Sequence, residues 1–296
     1  MSKAKKRKNF LIACLFMLPF FVLYTIFTIW PVGEGIYVSL HNWGMMGKQK
    51  FVGLDNYTKF LNDRHFWSTL GNTCKFVVIT TPMLVITAML LAMLANRATR
   101  MKKSLRIAYY IPSILSISAA SFIAKNVFSP YTGLINGLLH ALNIIPAGTE
   151  IQFLQDTNLA WVSITTMTTW WTVGFSMMLF ISALQDIPQD IYEAAAIDGA
   201  SKFQILMKIE VPLIKATTWL VFLLQMIASF KVFGQIDLIT GGGPANSTRP
   251  IIQYIYETAF EKNKMGYAAS MSYVLFGILL VLSLVQQFIQ RKGEKS

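Results

Sequence analysis

The stretch Ile187-Pro188-Gln189-Asp190-Ile191-Tyr192-Glu193-Ala194-Ala195-Ala196-Ile197-Asp198-Gly199-Ala200-Ser201-Lys202-Phe203-Gln204-Ile205-Leu206-Met207-Lys208-Ile209-Glu210-Val211-Pro212 joins two long apolar runs and interleaves acids with lysines. Cytoplasmic linkers of membrane proteins are ordinarily basic, so this composition points to another task. Its local grammar predicts two short helices. Asp190 can cap the first, with Glu193 three residues on as the reciprocal partner of a capping box. Ala194, Ala195 and Ala196 are strong helix formers. Gly199 supplies a left-handed stop. Ser201 and Gln204 repeat the capping-box pattern for the second helix. Pro212 falls near the start of the next apolar run, where its missing N–H costs little. A short helix closed by a glycine turn makes a compact knob, which can enter a cleft on a partner and push or pull the spans beside it.

The rest of the chain supplies those spans. Of 296 residues, 54% are hydrophobic and 14% charged, and the mean hydropathy is +0.49. A soluble domain carries about 25% charged residues, so the composition reads as a membrane protein. A bilayer core of about 30 Å needs about 20 apolar helical residues. Uncharged runs near that length occupy residues 10–30, 76–95 (beginning nearer Gly71), 107–124, 159–184, 216–230 and 267–290. The fifth is short and extends past Lys215 and Lys231. The expected fold is all-α: six transmembrane helices, with a cytoplasmic helix–turn–helix between the fourth and fifth. The uncharged run 129–148 is read as an interfacial helix plus loop, because Pro130, Gly133, Asn136, Gly137, Asn143 and Pro146 would place helix breakers and polar groups in hydrocarbon. The organisation is a basic N-terminus at 1–9, a membrane domain at 10–290 containing the 187–212 segment, and a tail at 291–296.

Basic residues set the orientation. Lys3, Lys5, Lys6, Arg7, Lys8, Arg97, Arg100, Lys102, Lys103, Arg106, Lys202, Lys208, Lys215, Arg291, Lys292 and Lys295 share one side. The opposite loops hold only Lys48, Lys50, Lys59, Arg64, Arg249, Lys262 and Lys264. The positive-inside rule places both termini in the cytoplasm. It also accounts for the formal net charge of +12 without nucleic acid. The first run is too long for a signal-peptide h-region and no small-residue cleavage site follows it, so it reads as a retained helix.

Several chemistries are excluded. Cys14 and Cys74 make no disulfide framework, and His41, His65 and His140 fit no metal-ligand spacing. No G-x-x-x-x-G-K-[ST] occurs, so the chain has no P-loop for ATP. A membrane-embedded enzyme would need a nucleophile–base pair that these histidines do not supply. An ATPase-independent secondary transporter stays an alternative, though such a protein would ordinarily carry intramembrane acids, and the span cores contain no Asp or Glu.

Glu193-Ala194-Ala195, then Gly199, then Ile209-Glu210-Val211-Pro212 resembles the E-A-A, G, I-x-L-P signature of permease subunits of bacterial ATP-binding-cassette importers, with Val211 in place of Leu. Phe51-Val52-Gly53-Leu54-Asp55-Asn56-Tyr57 and Thr240-Gly241-Gly242-Gly243-Pro244 resemble outer-loop signatures of its carbohydrate branch. The resemblance covers residues 10–290 and implies a multi-pass protein of the bacterial cytoplasmic membrane. It implies a second permease subunit that completes the pathway and an ATPase dimer that binds ATP and Mg. An extracellular binding protein would deliver a carbohydrate, with an oligosaccharide the first expectation and a glycerol phosphate or modified sugar the alternative. No cofactor and no catalytic residue are expected in this chain. Glu193 would anchor the segment in the ATPase.

Polar and aromatic groups inside spans are candidates for the pathway. Span four carries Thr165, Thr166, Thr168, Thr169, Trp170, Trp171 and Gly174, and span five carries Gln225, Ser229 and Lys231. The same resemblance places Trp170, Gly174, Met177, Gln225, Ser229 and Val232 at or near the pocket of sugar-importing members. Trp171 joins them on residue type, since aromatic faces stack on sugar C–H surfaces. Lys231 either faces the pathway or snorkels outward at its helix end.

Overall fold

Backbone N–H and C=O groups in hydrocarbon must be satisfied within their own segment, so long uncharged runs become long helices. The computed structural model describes residues 3–97, 101–146 and 148–293. Met1, Ser2, Arg100, Ala147, Lys295 and the rest of the 294–296 tail lie outside the described residues. In chain order the helices are α1 (Lys3–Tyr24), α2 (Trp30–Ser39), α3 (Asp55–Leu61), α4 (Arg64–Arg97), α5 (Lys102–Tyr110), α6 (Ile117–Val127), α7 (Leu134–Ala141), α8 (Thr157–Gln185), α9 (Gln189–Ile197), α10 (Lys202–Ile205), α11 (Val211–Leu213), α12 (Lys215–Phe230), α13 (Gly234–Thr240), α14 (Ile251–Tyr256) and α15 (Met265–Gly293). One antiparallel hairpin, β1 (His41–Gly44) with β2 (Gly47–Phe51), amends the all-α expectation. Four helical stretches, Ile12–Ser39, Arg64–Arg97, Thr157–Gln185 and Met265–Lys292, are long and apolar enough to cross a bilayer. Two bent pairs, α5 with α6 and the 202–213 arm with α12, bring the number to six when each counts as one span. Among the described residues, the 129–148 run holds the eight-residue α7 between loops.

The chain divides into two compact units. The first comprises the residues up to Arg64 together with Ile255–Gly277. Here the first span runs past its expected end. Pro31 sits in the first turn of α2, and a π-helical turn at Thr25–Ile29 precedes it. The wider turn accommodates the hydrogen bond that proline cannot donate, and the helix continues to Ser39. The 31–67 region, between the first two uncharged runs, is therefore helix, hairpin and helix. Asn56 is its nail: its buried Nδ2 donates to the carbonyls of Ser39 and His41, each at 2.9 Å. Tyr57 adds a 2.7 Å bond between its hydroxyl and that of Ser39. The start of α15 closes on this assembly through Tyr267 to Asp63 (2.7 Å) and Ser270 to the Asn56 carbonyl (3.2 Å).

The second unit comprises His65–Tyr254 with the chain from Ile278 onward. Its α4 begins at Arg64, earlier than the sequence suggested. The first turns are amphipathic and bury Phe66, Thr69 and Thr73, and so escape a search for uncharged runs. One apolar cluster joins α4, α8 and α12 through Ala88, Ala92, Met177, Phe180, Ile181 and Val221. Alanines at this spacing let helices approach closely. A second cluster, with Phe76, Ala120, Ala124, Trp161, Ile164 and Ile236, joins α4, α6, α8 and α13.

Span three is not a straight helix. Its axis turns by 101° between 102–114 and 117–127. Pro112 opens a 3-10 turn at Ile111–Ile114, Leu115 is extended (φ −64°, ψ 143°), and Ser116 caps α6 by accepting from the Ala119 N–H at 3.2 Å. A proline followed by a serine cap is a helix stop and restart. Two residues of α8 complete the break. Trp171 Nε1 donates to the freed Leu115 carbonyl at 3.0 Å. Gly174 lies so close that a Cβ there would stand 2.5 Å from the Tyr109 carbonyl oxygen and 2.8 Å from Tyr110 Cα.

Candidate functional site

The 187–212 segment forms the expected helix–turn–helix, α9 followed by α10, between the ends of α8 and α12. The first helix begins otherwise than expected. Pro188 is its N-cap, no side chain caps it, and Asp190 falls within the first turn. Pro188 takes an extended conformation (φ −57°, ψ 140°) and displaces the cap by two residues. Asp190 then acts on the helix dipole rather than on a particular N–H. Glu193 accepts from Gln189 Nε2 at 3.1 Å instead of closing a capping box. The far end matches the expectation. Gly199 is left-handed (φ +70°), and the bonds Ala200 N–H to Ala195 O (2.9 Å) and Gly199 N–H to Ala196 O (3.1 Å) form a Schellman stop. The second capping box is present: Ser201 Oγ accepts from the Gln204 N–H at 3.3 Å, and Gln204 Oε1 accepts from the Ser201 N–H at 2.7 Å.

The knob is firmly built yet presents apolar side chains outward. Ile197 is 88% exposed and Phe203 69%, with Met207 also exposed. Glu193, Asp190, Ala194 and Gly199 lie on the same open surface, whereas Ala195 is buried. Exposed apolar side chains grouped on a capped, ordered motif mark a surface that a partner covers.

The base of the knob holds a group that sequence reasoning did not single out. Glu210 is only 4% exposed, and its Oε2 accepts from Arg97 Nη2 at 2.8 Å. The Tyr192 hydroxyl stands 3.5 Å from the other carboxylate oxygen. These residues come from α9, the end of α4 and a π-helical turn at Leu206–Glu210. Pro212 lacks the N–H that would bond Lys208, and the π turn lies immediately before it. The Tyr192 phenol is pushed above its ordinary range, first by burial, then by the Glu210 charge and the hydrogen bond to it, with Arg97 opposing. A cavity of about 390 Å³ opens beside this trio, lined also by Asn96, Leu184 and Lys202. An acid at the x position of I-x-L-P was a visible signal. Its partner, 113 residues away, was not.

The pathway candidates fall into two groups. Trp170 is exposed on α8, on the face that carries Val162 and Thr166. Beside that face, Lys75 Nζ lies 5.3 Å from the ring centre of Trp161, above a cavity of about 260 Å³ lined by Thr165 and Thr166. Gln225 is half-buried and donates to Ser176 Oγ at 2.8 Å. The other candidates are buried, Trp171 only partly. Met177 and Val232 belong to the two apolar clusters, Ser229 accepts from Thr81 Oγ1 at 3.3 Å, and Trp171 and Gly174 hold the break in span three. Lys231 ends α12 as its exposed C-cap. Among the described residues, no group of three His, Cys, Asp or Glu side chains is placed to hold a metal ion.

Known proteins share this architecture. The probable ABC transporter permease protein YurN of Bacillus subtilis (strain 168) is 31% identical over 97% of this chain and 99% of its own. The lactose transport system permease protein LacF of Rhizobium radiobacter is 34% identical over 94% and 93%. A crystal structure of a bacterial alginate ABC transporter, in complex with alginate pentasaccharide-bound periplasmic protein, contains a chain that superposes with a TM-score of 0.86. It covers 99% of this chain and 98% of its own at 22% identity, a likeness of fold. Residues 61–294 match the family model described as binding-protein-dependent transport system inner membrane component. The matched region contains the exposed knob, its buried base and the broken spans around it, and the chain belongs to that family of multi-pass membrane permeases.

Proposed function

We propose that this chain is one of two permease subunits that together form the transmembrane pathway of an ATP-driven carbohydrate importer. The observation that carries this reading is the capped helix–turn–helix at 189–205, which presents Glu193, Ile197 and Phe203 outward between two spans. An ATPase dimer receives this knob and binds ATP and Mg, and an extracellular binding protein delivers the cargo. The chain itself performs no bond chemistry and holds no cofactor. It lies in the bacterial cytoplasmic membrane with both termini in the cytoplasm, which puts the knob on the side where ATP is found.

The mechanism is alternating access. ATP binding closes the ATPases, the knob moves with them, and the spans exchange an outward-open for an inward-open arrangement. Nucleotide drives this only through its different affinity for the two states. Carbohydrate is the favoured cargo because LacF, the relative named for lactose transport, is similar over nearly the whole chain. The Thr166–Trp170 face of α8 and Gln225 offer the aromatic and hydrogen-bonding mixture that a sugar needs. Trp171, Gly174, Met177, Ser229 and Val232 act from behind that face by fixing the helices. A glycerol phosphate or modified sugar is the second reading, favoured by Lys75 beside the Thr165–Thr166 cavity.

Glu193→Lys tests the proposal in the assembled complex. The expected result is loss of uptake together with loss of ATPase from the membrane. Normal uptake with normal ATPase association would overturn it.

A further inference from the structure

The arm that carries the knob has weak covalent attachments. Toward α12 the chain bends by 65° between 202–213 and 215–230, so span five does not continue into it as a straight rod. Toward α8 the helix ends at Gln185, and Pro188 restarts it. A push delivered to α9 and α10 would be lost in these two joints unless something else grips the arm. Leu206 and Val211 pack against the α4–α8–α12 cluster, and Ile214 is buried in it. An ion pair, Arg97–Glu210, also grips it. Its carboxylate is almost fully buried, and its guanidinium belongs to the last turn of α4, a continuous 34-residue helix.

We infer that Arg97, Glu210 and Tyr192 form a clasp that makes the knob and α4 move as one body, so that α4 carries the ATPase stroke into the spans. This rests on the proposed docking of an ATPase at 189–205. With the clasp closed, the ATPases cannot approach each other without also moving α4, and ATP turnover bears the cost of rearranging the spans. With it open, the knob follows the ATPases while α4 stays behind, and hydrolysis runs free of transport. Arg97 and Glu210 are positioning residues, because neither lies on the exposed surface of α9.

The test uses the complete complex of this chain with its partner permease and ATPases in lipid nanodiscs, with MgATP as the probe. Glu210→Gln and Arg97→Gln are each expected to raise basal ATP turnover about tenfold, the size that follows from loss of one charge-assisted hydrogen bond. The KM for ATP and the amount of ATPase retained stay at the wild-type level, a split that simple unfolding would not give. The exchanged pair, Arg97→Glu with Glu210→Arg, restores turnover to within about twofold of wild type, since neighbouring substitutions in one ion pair are not additive. Tyr192→Phe, which keeps the ion pair, gives a smaller rise and serves if the charge variants do not assemble. Unchanged or lowered turnover in the single variants that assemble refutes the clasp. So does an exchanged pair that behaves like the singles, or a Tyr192→Phe turnover equal to wild type where the charge variants do not assemble. If no ATPase remains with the wild-type permease, the docking proposal itself fails, an outcome distinct from any of these.

Discussion

Gly174→Ala isolates the contact that shapes the centre of the permease. By intrinsic preference the substitution should help, because alanine in a helix interior is favoured over glycine by about 1 kcal/mol. The surroundings reverse the sign. The added Cβ would lie 2.5 Å from the Tyr109 carbonyl oxygen, 2.7 Å from Ser113 Oγ and 2.8 Å from Tyr110 Cα. Two of these three are backbone atoms of the bent span, and they cannot turn aside as a flexible side chain would. Overpacking of this kind costs about 1–3 kcal/mol. The upper part of that range applies here and leaves a net loss of about 1–2 kcal/mol. The permease in detergent should therefore unfold about 2–8 °C lower, on a scale of about 2–4 °C per kcal/mol. The assay is fluorescence-detected size exclusion after heating. Gly71→Ala is the control, since Gly71 lies inside α4 with nothing within 4 Å of its would-be Cβ. Its Tm should rise by about 2–4 °C. A Gly174→Ala Tm at or above that of wild type would refute the reasoning, because the helices would then not be held at the distance described.

Trp171→Phe keeps an aromatic ring but removes the indole N–H and some volume, and it strands the Leu115 carbonyl, which by itself costs about 1–3 kcal/mol. The same thermal assay should register a fall, and unchanged stability would mean that the break in span three is held elsewhere. Glu193→Lys should leave the Tm within about 1 °C of wild type, because exposed substitutions away from special features cost little. An unfolded Glu193→Lys protein would remove its value as a probe of docking.

Much of this molecule was legible in the residues. Uncharged runs located the four long apolar helices and the two bent pairs that bring the number to six when each counts as one span, because a helix in hydrocarbon cannot carry many charges. The knob was legible in Gly199, Ser201 and Gln204, whose bonds close within a few residues. The errors share a physical cause. Asp190 has a side chain suited to a cap, but Pro188 holds that position. Pro31 follows the uncharged run 10–30, and the helix passes it by way of a π-helical turn. Pro112 and Ser116 contained the signal for the break in span three, masked by the unbroken apolar character of 107–124. The pairing of Arg97 with Glu210 depends on how α4 lies against the 202–213 arm, which no local pattern states. The same holds for Trp171 and Gly174. Trp171, a candidate by residue type, and Gly174, a candidate by resemblance, both contact the neighbouring span.

The central claim is that an ATPase seats on the knob at 189–205, and Ile197 gives the most direct access to it. Ile197→Cys, in a chain with Cys14 and Cys74 replaced by Ser, is labelled with a short photoactivated cross-linker in native membranes. The account predicts a single adduct to an ATPase subunit, lost when Glu193→Lys is added. Labelling that reaches only lipid, or an ATPase adduct that survives Glu193→Lys at full yield, would contradict it.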